Sequence, residues 1–202
     1  MTVAKLEEVT ERVNLYALGV LAPPRYEHSV RVAELARAMC VRFGADPVAG
    51  YLAGIAHDMC KSAKERWLLS MALRDGQPIV EVEEKKPSLL HGRAAAVLLE
   101  SEFAIEDRSI LDAVRHHTFG APEMDSLGKI IFVADKVEPG RNGLDPAWLA
   151  RLNESDLDGM TTMVLEHNIG YLDSRGKAVS PVTREMLASL KGRQLSNTQG
   201  GS

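Results

Sequence analysis

The stretch Ala53-Gly54-Ile55-Ala56-His57-Asp58 constrains this chain more than any other, because small and apolar residues run straight into two adjacent metal-capable side chains, with Lys61 following. An isolated buried charge changes its protonation state rather than stay ionised. A metal ion removes that conflict, since it favours an ionised Asp and a neutral His. Read alone, the dipeptide fits equally well a helix C-terminus at which both residues face water. The rest of the chain decides between the two.

The core around this stretch has to be helical. Hydrophobic residues make up 45% of the 202, yet aromatics only 5%, so Ala, Leu, Val, Ile and Met must fill the interior, and a β-sandwich would want more aromatic and β-branched residues. Val3 to Leu18 repeats apolar residues at helical spacing, and Pro23-Pro24 opens a second helix that Gly44 closes. Asp46-Pro47 caps a third helix, which ends at His57-Asp58. Further helices are expected over Ser62–Leu73, from a Ser88 cap to Leu99, over Glu106–His117, Ser126–Val137, Pro146–Leu152, Asp156–Ile169 and Thr183–Lys191, with Gln77–Pro87 as a connector. The expected fold is all-α, a single domain over residues 1–191 with a disordered tail at 192–202.

Other function classes recede. A net charge of −4 gives no general pull toward polyanions, so nucleic acid is not an expected partner and phosphate recognition must be local. Met1 to Asn14 lacks the apolar core of a signal peptide, and no apolar run is long enough to cross a bilayer, so the expected location is cytoplasmic. Cys40 and Cys60 form no CxxC pair and read as reduced core residues.

Five of the six histidines lie between residues 28 and 117, near helix ends or faces: His28, His57, His91 and the pair His116-His117. Asp135 interrupts the most apolar helix of the chain directly after Ile130-Ile131-Phe132-Val133-Ala134 and is expected to be a buried ligand. His167 stands late in the chain beside no other ligand type and is left aside.

The order His28, His57-Asp58, His91, His117, Asp135 resembles the HD-domain superfamily of metal-dependent phosphohydrolases, an all-α helical bundle with ligands drawn from separate helices. Arg25 to Ala33, Ala53 to Asp58 with Lys61, Leu90-His91, Ala113 to Thr118 and Ala134 to Arg141 together resemble one branch, the bacterial YqeK-type symmetrical diadenosine tetraphosphate hydrolases, over a motif core of residues 25–141. The resemblance implies one metal held by His28, His57, Asp58 and Asp135. It implies a second held by His91 and one of the histidine pair, with Asp58 bridging. The branch usually has an aromatic before its His-Thr, so His117 carries over as the ligand, and Phe119 stands where a second Thr is usual. Iron is the metal implied, and a homodimer the assembly. Imidazole with a few carboxylates suits iron, manganese, cobalt or zinc better than magnesium or calcium.

The expected chemistry is attack by a hydroxide shared between two ions on the central phosphates of diadenosine tetraphosphate, yielding two ADP. Asp58 and Lys61 are the candidate catalytic residues, and Arg25, Lys61, Thr118 and Arg141 the candidate phosphate contacts. The partner is therefore a dinucleoside polyphosphate or an ADP-like nucleotide. The alternatives are another HD-type nucleotidase or phosphodiesterase, and a non-catalytic nucleotide-binding module; the complete ligand set speaks against the last.

Overall fold

Aspartates and prolines set where most helices begin. Asp46, Asp107, Asp125, Asp145 and Asp156 each accept a hydrogen bond from a backbone N–H two or three residues on, the geometry that satisfies a helix's first free amides. Pro23, Pro47, Pro146 and Pro181 occupy first turns, where their missing N–H costs nothing. The computed structural model describes the backbone of residues 2–199 and side chains through Arg193. Among the described residues there are eleven α-helices and no strand: α1 Val3–Val20, α2 Pro23–Phe43, α3 Pro47–Ala56, α4 Glu65–Ala72, α5 Glu81–Lys85, α6 His91–Glu102, α7 Arg108–His116, α8 Ser126–Val137, α9 Pro146–Glu154, α10 Leu157–Ser174 and α11 Pro181–Gln199. The all-α expectation holds.

Helix α3 is the centre. Leu52, Ala53, Ile55 and Ala56 have no exposed surface, and α1, α2, α7 and α8 all pack around them. Full burial of a residue such as Leu52 or Ile55 is worth about 1.5–3 kcal/mol each. Gly54 lets α2 come close, because a Cβ there would sit 2.5 Å from the Cα of Ala33. Since α2 also packs on α8, and α6 on α7, the ends of α3, α6 and α7 and the inner faces of α2 and α8 meet on one side of the bundle. Among the described residues no helix is long and apolar enough to cross a membrane.

Three boundaries differ from the sequence reading. The helix expected from Ser62 starts at Glu65, because residues 57–62 form a run of turns with Lys61 N–H donating to Asp58 O at 2.8 Å. Ser88 does not cap α6 with its side chain; Pro87–Leu90 is a 3-10 turn and Leu90 is the cap residue. The last helix runs past Lys191 to Gln199, so the backbone is helical over much of the segment expected to be a disordered tail, of which residues 200–202 lie outside the described residues.

Candidate metal centre and its cleft

Where a helix ends, its last carbonyls have no amide to receive. Two histidines use them. His57 follows α3 and its Nδ1 lies 2.6 Å from Gly54 O; His117 follows α7 and its Nδ1 lies 2.7 Å from Val114 O. His91, first residue of α6, repeats the contact with Ser88 O at 2.8 Å. A carbonyl only accepts, so in each ring Nδ1 carries the proton and Nε2 keeps its lone pair. On α2, His28 places Nδ1 3.0 Å from the carboxylate of Glu138, with the same consequence.

All four Nε2 atoms point at two aspartates. His28 Nε2 lies 3.1 Å and His57 Nε2 3.6 Å from Asp135 Oδ1, while His91 Nε2 lies 3.0 Å and His117 Nε2 3.8 Å from Asp58 Oδ1. The lone pairs of His91 and His117 face each other at 2.9 Å, and His57 Nε2 is buried with no hydrogen-bond partner. Lone pairs held this close to one another and to carboxylate oxygens repel. A cation among them converts each repulsion into a ligand bond, so the donor set fits a metal. Three groupings have ligand atoms within 4.8 Å of one another: His28-His57-Asp58, His57-His117-Asp135 and Asp58-His91-His117. They overlap, so the six side chains form one continuous cluster.

The electrostatics point the same way. Burial alone would raise the Asp58 carboxyl, but His57, His91 and Lys61 hold it far below the usual carboxylate range. Asp135, likewise raised by burial, is carried well below that range by Lys136, His28 and His57. Burial, reinforced by the neighbouring rings, pushes His117 well down, and burial also lowers His91. His57 moves the other way: burial lowers it, but Asp58 and Asp135 outweigh that and raise it.

The cluster opens into a cleft of about 940 Å³ whose walls carry Arg25, Lys61, Lys85, Lys86, Lys136, Arg141 and Lys177 against Asp58 and Asp135. A chain of net charge −4 thus concentrates cations at one place, which focuses its field on an anionic ligand. Arg25 Nη1 is 3.1 Å from Asp58 Oδ2, Lys61 Nζ 3.6 Å from Asp58 Oδ1, and Arg141 Nη2 2.8 Å from Asp135 Oδ1. Thr118 Oγ1 lies 3.3 Å from His117 Nε2. All four candidate phosphate contacts therefore border the cluster. Lys61 arrives by the turn after α3 and not by helical continuation.

Of the histidine pair, the structure brings His117 to the cluster, and His116 instead lines a neighbouring cavity. His167 packs against Trp148, centroids 5.0 Å apart, away from the site. Asp135 is not fully buried; its side chain is 13% exposed toward the cleft. Two site residues were not singled out from sequence. Glu138 is 2% exposed and accepts from Arg31 Nε at 2.6 Å and Gly140 N–H at 2.5 Å as well as holding His28. Lys136 Nζ bridges His117 O at 2.6 Å and Asp135 Oδ2 at 2.9 Å. The available signal for Glu138 was its place one helical turn beyond Asp135.

Comparison with known proteins agrees with this geometry. The HD domain family pattern matches residues 25–140. The chain belongs to the HD-domain family. Every candidate ligand of this HD domain lies inside the matched segment, and Arg141 lies one residue beyond it. The chain is 33% identical to the symmetrical bis(5'-nucleosyl)-tetraphosphatase of Bacillus subtilis, over 81% of its own length and 87% of the relative's. It is 33% identical to the protein of the same name from Staphylococcus aureus, over 80% and 84%. A crystal structure of an HD superfamily hydrolase from Clostridium acetobutylicum, described as involved in NAD metabolism, superposes with a TM-score of 0.84 at 27% identity, covering 91% of this chain and 97% of that one. Family and side-chain clusters together mark a site for divalent metal.

Proposed function

We propose that this HD domain hydrolyses diadenosine tetraphosphate symmetrically, giving two ADP. One observation carries the reading: four Nε2 lone pairs, each fixed by a partner on Nδ1, converge with Asp58 and Asp135 at the floor of a cation-lined cleft. The 33% identity to two symmetrical tetraphosphatases over most of the chain supports the substrate.

In this reading His28, His57, Asp58 and Asp135 would hold one ion and His91, His117 and Asp58 a second, with iron the first choice among the first-row ions that imidazole and carboxylate suit. When bound, such ions would lower the pKa of a coordinated water toward neutrality and neutralise phosphoryl oxygens. The chain's own residues do the positioning. The carbonyls of Gly54, Ser88 and Val114 and the carboxylate of Glu138 hold the four rings in the ligating tautomer. Arg25, Lys61 and Arg141 release their aspartates to take up phosphate oxygens, and Thr118 donates its hydroxyl. Burial of Asp58 behind these groups keeps bulk water from its carboxylate. A nucleoside diphosphate leaves readily enough that no separate general acid is required.

Incubating iron- or manganese-loaded protein with diadenosine tetraphosphate and separating the nucleotides tests this. ADP as sole product is expected; ATP with AMP, or an untouched substrate, would overturn it.

A further inference from the structure

The cleft above the metal centre does not end at its far wall. A second cavity of about 660 Å³ adjoins it, and Val82, Leu89, Thr118 and Phe119 line both. Its size is within the range that takes a nucleoside-sized ligand. Its remaining walls differ from the first: Val179 and Pro181 are apolar, Gln77 and His116 offer hydrogen-bonding edges, and Glu81, Glu185, Arg93 and Arg115 add charges of both signs. Among the described residues its lining includes none of the six side chains of the metal cluster.

The position of this lobe follows from the proposed reaction, on which the inference rests. Attack at the centre of a tetraphosphate leaves a nucleoside on each side of the metal cluster, and one cleft over the ions accounts for one of them. Phe119 stands at the partition, directly after Thr118, whose hydroxyl oxygen is 3.3 Å from His117 Nε2. Thr183 Oγ1 donates to Phe119 O at 2.8 Å and so fixes the backbone that presents the ring. A half-buried aromatic beside a chamber with apolar walls at Val80, Val179 and Pro181, one residue from Thr118, is suited to a nucleobase.

We propose that this second lobe receives one of the two nucleosides of the dinucleotide, its base stacking on Phe119 and its polar edge facing Gln77 and His116. The metal-side cleft keeps the phosphates and the other nucleoside. Phe119 is then a specificity residue: it makes the protein prefer a substrate with two nucleosides over one with a single nucleoside and a bare tetraphosphate end.

The test compares diadenosine tetraphosphate with adenosine 5'-tetraphosphate on metal-loaded wild type, Phe119→Ala and Val179→Trp, the last filling the lobe from a loop. Aromatic-base stacking is worth a roughly 5- to 150-fold change in affinity. Both variants are expected to raise KM for the dinucleotide by such a factor, and Val179→Trp, at a residue that lines the second lobe and not the metal-side cleft, to leave KM for adenosine tetraphosphate unchanged. The Kd of a methylene-bridged dinucleotide analogue, measured by calorimetry, should rise in parallel. Variants that weaken both nucleotides equally, or neither, overturn the inference while the two-ADP reaction of the wild type stands. A wild type that does not cut the dinucleotide overturns the reaction itself.

Discussion

Glu138→Gln isolates the contribution of a residue that touches no ion. One carboxylate oxygen faces His28 Nδ1 at 3.0 Å, and the other accepts from Arg31 Nε at 2.6 Å and Gly140 N–H at 2.5 Å. An amide replaces one of these oxygens by a donor. If the donor faces Arg31 and Gly140, two N–H groups meet an N–H, and hydrogen bonds to charged groups are worth about 1.5–3 kcal/mol each. The amide therefore turns its oxygen toward Arg31 and its NH2 toward His28. The ring must then accept at Nδ1, which moves its proton to Nε2 and removes the ligating lone pair. Loss of such an orienting partner typically costs 10- to 100-fold in metal affinity, or about 1.4–2.8 kcal/mol. Titration of purified variant and wild type in metal-buffered solutions, with bound metal read by atomic emission, measures it. Wild-type affinity in a variant with an unchanged melting temperature would refute the tautomer argument.

Asp58→Ala removes the carboxylate shared by both halves of the cluster, so bound metal and hydrolysis should both vanish; wild-type metal content by atomic emission would contradict the bridging assignment. The same variant should melt below the wild type, because His91 loses its 3.0 Å partner and Arg25 its 3.1 Å one. Lys61→Ala should keep the metal and lose roughly 10- to 100-fold in kcat/KM, the worth of one charge-assisted contact to phosphate; a fall in metal content instead would make Lys61 structural. Away from the site, Arg93 grips Asp75 through two 2.8 Å hydrogen bonds. The Asp75 carboxyl, raised by burial but overridden by Arg93, sits below its ordinary value. A carboxyl depressed in the folded state adds stability above its unfolded pKa of about 3.9, and that stability fades as pH falls through the folded value. Asp75→Asn should therefore cost about 3 kcal/mol at pH 7 and progressively less as the pH is lowered from about 3.9, read by urea unfolding along an acid series; a cost that stays constant down the whole series would contradict the linkage.

The helices were legible because their signals are local. Asp46-Pro47 and Gly44 act through bonds to residues two to five positions away, so a start and a stop can be read in place. The six candidate ligands were legible as an ordered pattern through its resemblance to the HD-domain family; no one of them marks a ligand by itself, since His57-Asp58 alone fits a solvent-facing helix end equally well. Ser88 and Lys61 show the limit. Ser88 reads from sequence as a helix cap yet contributes its carbonyl to His91, and Lys61 reaches the cluster by a turn that no helical period describes, because the chain leaves the helix at Ala56. Glu138 was hidden for another reason: its partner His28 lies 110 positions earlier, and no local period encodes that pairing. Choosing His117 over His116 needed only which way α7 ends, and there the family resemblance supplied what the residues alone left open.

The position of bound metal tests the ligand assignment most directly. A crystal of metal-loaded protein, measured at the absorption edge of the ion, shows it by anomalous scattering. Two peaks are predicted, one among His28, His57, Asp58 and Asp135 and one among Asp58, His91 and His117, with every histidine ligating through Nε2. A peak outside these side chains, or a ring bound through Nδ1, would contradict it.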